Sequence, residues 1–167
     1  YHDSGAVNLG EAYRADEAVD VQSSGEGYTT VGFFEAEEWL EYSIDVAVAG
    51  NYQITFRTAS GSGVGGSISF ESDCVKLTGD LATPNTNGWD TYQDATVDVT
   101  LKAGVQKLRI VSGGGMNLMN LDIQPGGEGG EDYGAGCQWT PPEPDDIFVE
   151  AEEWTDVIGS PDGTVSI

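Results

Sequence analysis

Alternation of apolar and polar residues with a period of two dominates the chain from Val19 to Ile123, the spacing of half-buried strands rather than of helices. In WLEYSIDVAVAG it puts Leu40, Tyr42, Ile44 and Val46 on one face and stops at a Gly-Asn turn. NYQITFRTAS repeats the pattern with Tyr52, Ile54 and Phe56. SISFES, CVKLTG, TYQDATVDVTLKAG, VQKLRIVSG and MNLMNLDIQ follow, separated by turn signals such as Ala49-Gly50-Asn51, Gly65-Gly66 and Ala103-Gly104. Trp39, Tyr42, Tyr52 and Phe56 are assigned to the core. No segment makes a convincing helix, although EAEEW alone could pass for one helical turn. Many short strands at regular spacing predict an all-β fold, a β-sandwich of the jelly-roll kind.

The pattern breaks after Gln124. PGGEGGEDYGAGCQWTPPEPDD is Gly, Pro and acid, a composition that cannot build a core and reads as a linker. Alternation resumes at Ile147 and runs to Ile167. The organisation expected is therefore a sandwich over 1–124, a linker over 125–146 and a separate β segment over 147–167.

Charge narrows the partners. Six Lys and Arg against 29 Asp and Glu give a net charge of -23 in 167 residues, which disfavours nucleic acid and anionic membrane and favours cations. No window approaches the length of apolar sequence that spans a bilayer, so membrane insertion is not expected. Cys74 and Cys137 match no metal spacing. They read either as a disulfide of a secreted protein, within or between chains, or as two unrelated thiols. Glu35, Glu37, Glu38 and Glu41 could suggest a paired-carboxylate hydrolase, but alternation sends them to opposite faces of one strand. With His2 as the lone histidine and no Ser or Cys beside a credible base, the chain does not read as an enzyme.

Four stretches together resemble one family: YHDSGAVNLGEAYRADEAVDV, GYTTVGFFEAEEWLEYSIDVAVAGNYQITFRTAS, PNTNGWDTYQ and MNLMNLDI. Their order and separations are similar to those of the family 6 carbohydrate-binding modules, in particular the subtype appended to marine polysaccharide-degrading enzymes. The resemblance covers essentially all of 1–124 and implies a non-catalytic β-sandwich. Such modules open with a strand reading IEAEDY or similar, which is missing before Tyr1 but present as FVEAEEW at 148–154. Reading Ile167 into Tyr1 restores a regular family N-terminus, so the chain is read as out of frame, with its first strand displaced to the C-terminus. The alternative, a tandem duplication marked by EAEEW at 35–39 and 150–154, is weakened because the residues that follow, LEYSIDV and TDVIGSP, do not match.

The resemblance also implies a site. Sugar rings stack their C–H faces on aromatic rings and are oriented by a few amides or carboxylates. Matched motif by motif, Tyr28 in GYTTVG and Trp89 in NGWDTY supply the two rings, and Asn117 in GGGMNLMNL the amide. The plainer alternatives are a loop tyrosine and a core tryptophan. A structural Ca2+ is implied where the first strand meets the last, with Glu150 and Glu152 approaching Asp122; the alternative is three surface acids. Two roles are expected from this reading. One is a secreted or extracellular module that binds polysaccharide, joined to neighbouring copies of itself by strand donation. The other is a purely structural subunit of an extracellular fibre.

Overall fold

The computed structural model describes residues 1–61 and 63–129. The calls on Cys137, Glu150 and Glu152, most of the linker and the whole 147–167 segment lie outside the described residues. The strands are β1 (Val21–Ser23), β2 (Thr29–Val46), β3 (Gly50–Ser60), β4 (Ser67–Ser72), β5 (Val75–Lys76), β6 (Leu81–Ala82), β7 (Gly88–Leu101) and β8 (Gly104–Pro125). Every pairing between them is antiparallel, and no helix occurs among the described residues.

β8 organises the sandwich because it serves both layers. Its first half pairs with β2 on one side, from Trp39↔Val111 to Val46↔Gly104, and with β4 on the other, from Ile68↔Ser112 to Ser72↔Leu108. Its second half pairs with β3, from Ala59↔Asn117 to Tyr52↔Pro125, and β3 pairs in turn with β7. The change of layer falls at Gly113-Gly114-Gly115. Gly114 and Gly115 have φ of 86° and 73°, a region open to glycine without steric cost. A Cβ at Gly114 would come within 3.2 Å of the Ala36 nitrogen, so close strand approach reinforces the choice.

The core lies between the two layers. Leu40, Ile44 and Val46 of β2, Ile68 and Phe70 of β4, and Leu108 and Ile110 of β8 face Ile54 and Phe56 of β3 and Val99 and Leu101 of β7. Phe56 and Phe70 meet with ring centroids 5.7 Å apart, a favourable tilted aromatic contact between strands of the two layers. The alternation read from the sequence is therefore met in β2 and β3, with Tyr42 and Tyr52 half-buried against this core.

Trp39 is the correction. It lies outside the core cluster, half-exposed, with the Arg109 guanidinium 4.1 Å from its ring centroid. Register shifts separate Val31, Phe34, Ala36 and Trp39 in the ladder with β8. From Trp39 on the ladder is regular, so Trp39 shares the outer face with Glu41, two residues on, whose carboxylate accepts from Arg109 at 2.7 and 3.0 Å. Leu40, one residue on, turns inward.

Residues 1–20 run as an irregular arm along β2, tied by a bridge between His2 and Trp39. Beyond Leu118, the edge of β8 that faces away from β3 carries no partner strand among the described residues. An open apolar groove runs beside it, lined by Val21, Val31, Leu40, Tyr42, Met119 and Leu121.

Candidate functional site

Four connections converge where β8 changes layer: the turn 24–28 between β1 and β2, the segment after Ser60, the loop leading into Gly88, and the glycine run before Met116. Their local chemistry is restrictive. Ser60 donates its backbone N–H to the Thr86 hydroxyl at 2.8 Å and its own hydroxyl to the Pro84 carbonyl at 3.0 Å. This lacing holds the loop that delivers Trp89. The indole, 47 % exposed, lies over Gly61, where a Cβ would meet its atoms at 2.8–2.9 Å. Gly61 thus provides the flat seat that lets one ring face remain open.

Asn117 stands beside Trp89. Its Nδ2 donates to the Trp89 carbonyl at 3.0 Å, and the side chain is buried at 3 % exposure. On one flank its strand partner is Ala59. On the other flank, Val31↔Leu118 and Phe34↔Met116 bracket it, so Gly32 and Phe33 together oppose Asn117 in a bulge. Phe33 has φ of 48° and is half-exposed. A left-handed aromatic residue is uncommon and points to a local constraint; here the extra residue of the bulge turns the ring out of the strand. The Gln22 side chain covers Gly32, where a Cβ would come within 2.5 Å of its Cδ.

Tyr28 reaches the same end by another route. The turn that carries it is closed by Ser24 N–H to the Tyr28 carbonyl at 2.7 Å and by Tyr28 N–H to the Ser24 hydroxyl at 3.2 Å. Its ring is exposed. The turn touches the Trp89 segment through Gly25, whose N–H donates to the Asp90 carboxylate at 3.0 Å. Below these residues Tyr92 is buried with Ala59 and Met119. Its hydroxyl lies beside Thr30 and Asn117 but makes no hydrogen bond of good geometry, and burial pushes its pKa up.

The structure therefore brings Trp89 and Asn117 into contact and sets the Tyr28 turn beside them. Phe33 and Gln22 are residues that sequence reasoning missed. The available signal was VGFF itself: two successive aromatics after a glycine cannot both face the core of a regular strand.

The other expected sites are less complete. Asp122, on β8 opposite Thr55, accepts from Gln124 Nε2 at 3.0 and 3.3 Å. Its carboxylate suits a hard cation, but alone it supplies at most two of the roughly six to eight oxygens that Ca2+ takes. Among the described residues no group of three or more His, Cys, Asp or Glu could hold a metal ion. Cys74 is exposed in a left-handed turn with φ of 63° and is disulfide-bonded rather than free. Buried carboxylates gather instead at the N-terminal arm. Glu38 accepts from Ser4 N–H, the Ser4 hydroxyl and Glu35 N–H at 2.7–2.9 Å, while Asp20 accepts from Leu9 N–H. Burial, and then the nearby Glu38 charge, pushes the pKa of both Asp3 and Asp20 up.

A two-layer antiparallel sandwich with exposed rings and a buried amide gathered at its loop end is the build of a small ligand-binding β-module. The chain belongs to the carbohydrate-binding modules of family 6, whose profile matches residues 10–124. It is 33 % identical over 113 residues to an isomaltosyltransferase of Sporosarcina globispora, covering 63 % of this chain and 10 % of that protein. It is 32 % identical over 122 residues to an exo-beta-D-glucosaminidase of Amycolatopsis orientalis, covering 66 % of this chain and 12 % of that protein. The chain thus spans about a tenth of the length of these enzymes.

Among solved structures it is similar to the family 6 module of Cellvibrio mixtus lichenase 5A in complex with cellotriose. That match has a TM-score of 0.60 and 30 % identity, over 65 % of this chain and 88 % of that one. The C-terminal family 6 module of a marine laminarinase from Zobellia galactanivorans gives a TM-score of 0.59 and 31 % identity, over 64 % and 87 %. The family is one of binding modules, without catalysis of its own.

Proposed function

We propose that the chain holds a polysaccharide at its loop end, stacking a sugar ring between Trp89 and Phe33 with Asn117 beneath and Tyr28 at the rim. One observation carries the reading: the Trp89 indole, seated on Gly61, keeps a face exposed beside Asn117, whose amide holds the Trp89 backbone carbonyl. A pyranose needs such a face and a nearby amide. Because Asn117 Nδ2 already donates to the Trp89 carbonyl, its Oδ1 is the atom that would accept from a sugar hydroxyl. The net charge of -23 repels polyanionic glycans, so the favoured partner is a neutral polysaccharide. Cellotriose, the ligand in the Cellvibrio mixtus complex, is a reasonable first probe. Retardation of the protein in native gels containing neutral polysaccharides tests the reading; mobility unchanged in all of them would overturn it.

The same reading extends to assembly and cofactor. The outer edge of β8, unpaired among the described residues, and its apolar groove suit an added strand, since among those residues nothing covers its backbone groups and apolar side chains. Residues 148–154 have the required alternation, supplied by a neighbouring copy in a head-to-tail array. Their Glu150 and Glu152 would then join Asp122 around Ca2+. Secretion suits such a module and a disulfide at Cys74. A synthetic peptide of 147–167 that fails to bind a chain truncated after residue 146 would remove the assembly reading and leave the sugar reading intact. The second reading, a fibre subunit without sugar, draws on that groove alone.

A further inference from the structure

We propose that Arg57, with Glu26, Asp94 and Asp90, forms an ionic clamp that positions the Tyr28 turn against the sugar site and so sets how tightly an extended oligosaccharide is held. The inference rests on the loop-end reading above. Arg57 lies on β3, well away from the turn in sequence. Its Nη2 donates to both carboxylate oxygens of Glu26 at 2.9 Å, its Nε reaches Glu26 Oε2 at 3.3 Å, and its Nη1 donates to Asp94 at 2.8 Å. Asp94 is the cross-strand partner of Arg57 on β7, so the guanidinium is fixed from below and its fork is aimed at the turn. A second tie, Gly25 N–H to Asp90, attaches the residue before Glu26 to the residue after Trp89.

These contacts have no evident part in the core. Arg57 and Glu26 keep 26 % and 35 % side-chain exposure, and the turn is already closed on itself by Ser24 and Tyr28. What the clamp fixes is where the closed turn sits, and Tyr28 is the exposed ring it carries. Bidentate Arg–carboxylate geometry supplies direction as well as attraction. A ring held in place before binding loses less freedom when a sugar stacks on it.

The test uses the full chain in native gels and titrations with laminarin and cellotriose as probes, at low and high salt. Arg57→Met keeps the aliphatic stem and removes the fork. It should weaken retention about two- to fivefold, the range of an exposed ion pair, and remove the weakening of retention by high salt that the clamp should give the parent chain. In a Tyr28→Ala background Arg57→Met should have no further effect, which a general loss of stability would not reproduce. Hydrogen exchange at residues 24–28 should rise in Arg57→Met and in Asp90→Ala while the β3–β8 ladder stays protected. Retention lost in Trp89→Ala but unchanged in Arg57→Met overturns the clamp alone. Additive losses from Arg57→Met and Tyr28→Ala overturn it too. No retention of the parent chain by either probe overturns the clamp together with the site it serves.

Discussion

Trp89→Ala isolates the stacking face. A pyranose lying on half of the indole removes about 50–100 Å2 of apolar surface from water, worth about 1–2.5 kcal/mol. Loss of the ring should therefore weaken binding by about 5- to 60-fold. The fold should survive, because the Asn117 bond goes to the Trp89 carbonyl and not to its ring, and because the ring is 47 % exposed. Isothermal titration with a retained oligosaccharide reads the affinity, and a thermal melt reads the fold. Gly61→Ala makes the same point without deleting the ring. Its Cβ would stand 2.8–2.9 Å from the indole, closer than carbon atoms pack, so the ring must lift from its seat and binding should weaken. Affinities within twofold of the parent for both variants, at unchanged melting temperature, would refute the stacking role.

Asp20→Asn should raise thermal stability at pH 7 while keeping an acceptor for Leu9 N–H. Burial raises the folded pKa of Asp20 above its unfolded value, so stability is lost as pH climbs through the folded pKa; the advantage of the variant should vanish below the unfolded value, near pH 4. A melt series from pH 3 to 8 reads this, and a variant less stable at pH 7 than at pH 3 relative to the parent contradicts it. Gly114→Ala should cost about 1–2 kcal/mol, the penalty of a left-handed alanine, and a denaturant titration with unchanged midpoint would count against the hinge. Excess EDTA should lower the melting temperature if Ca2+ joins Asp122 to Glu150 and Glu152, since an ion at 100 times its Kd adds about 2.7 kcal/mol; an unchanged melt removes that site.

Strand by strand, the sequence carried the fold where alternation is unbroken. Leu40, Ile44 and Val46 face inward as their spacing requires, and so do Ile54 and Phe56. Reading failed between Val31 and Trp39, where the register of β2 against β8 shifts repeatedly. A bulge changes the parity of every residue after it, and apart from VGFF nothing in the residue types of this stretch announces one. Trp39 was assigned to the core, although alternation from the inward Leu40 already places it outward, and Phe33, whose backbone turns it out, was not singled out. Tyr28 and Trp89 were legible through the resemblance of their motifs, GYTTVG and NGWDTY. Their relation to each other was not, because it depends on Asp90 reaching Gly25 and on Asn117 reaching the Trp89 carbonyl. Those contacts join positions far apart in the chain, and no local pattern encodes them.

The passage of β8 from one layer to the other has a mechanical consequence. Its second half begins at Asn117, beside the loop-end site, and ends at Pro125, at the opposite end of the ladder with β3. A tether pulling beyond Pro125 against a polysaccharide held by Trp89 on β7, which joins β8 through β3, would act along the strands. The β3–β8 hydrogen bonds would then be sheared together instead of peeled apart one after another. A module loaded in this way would resist force through the stiffest direction of its own sheet.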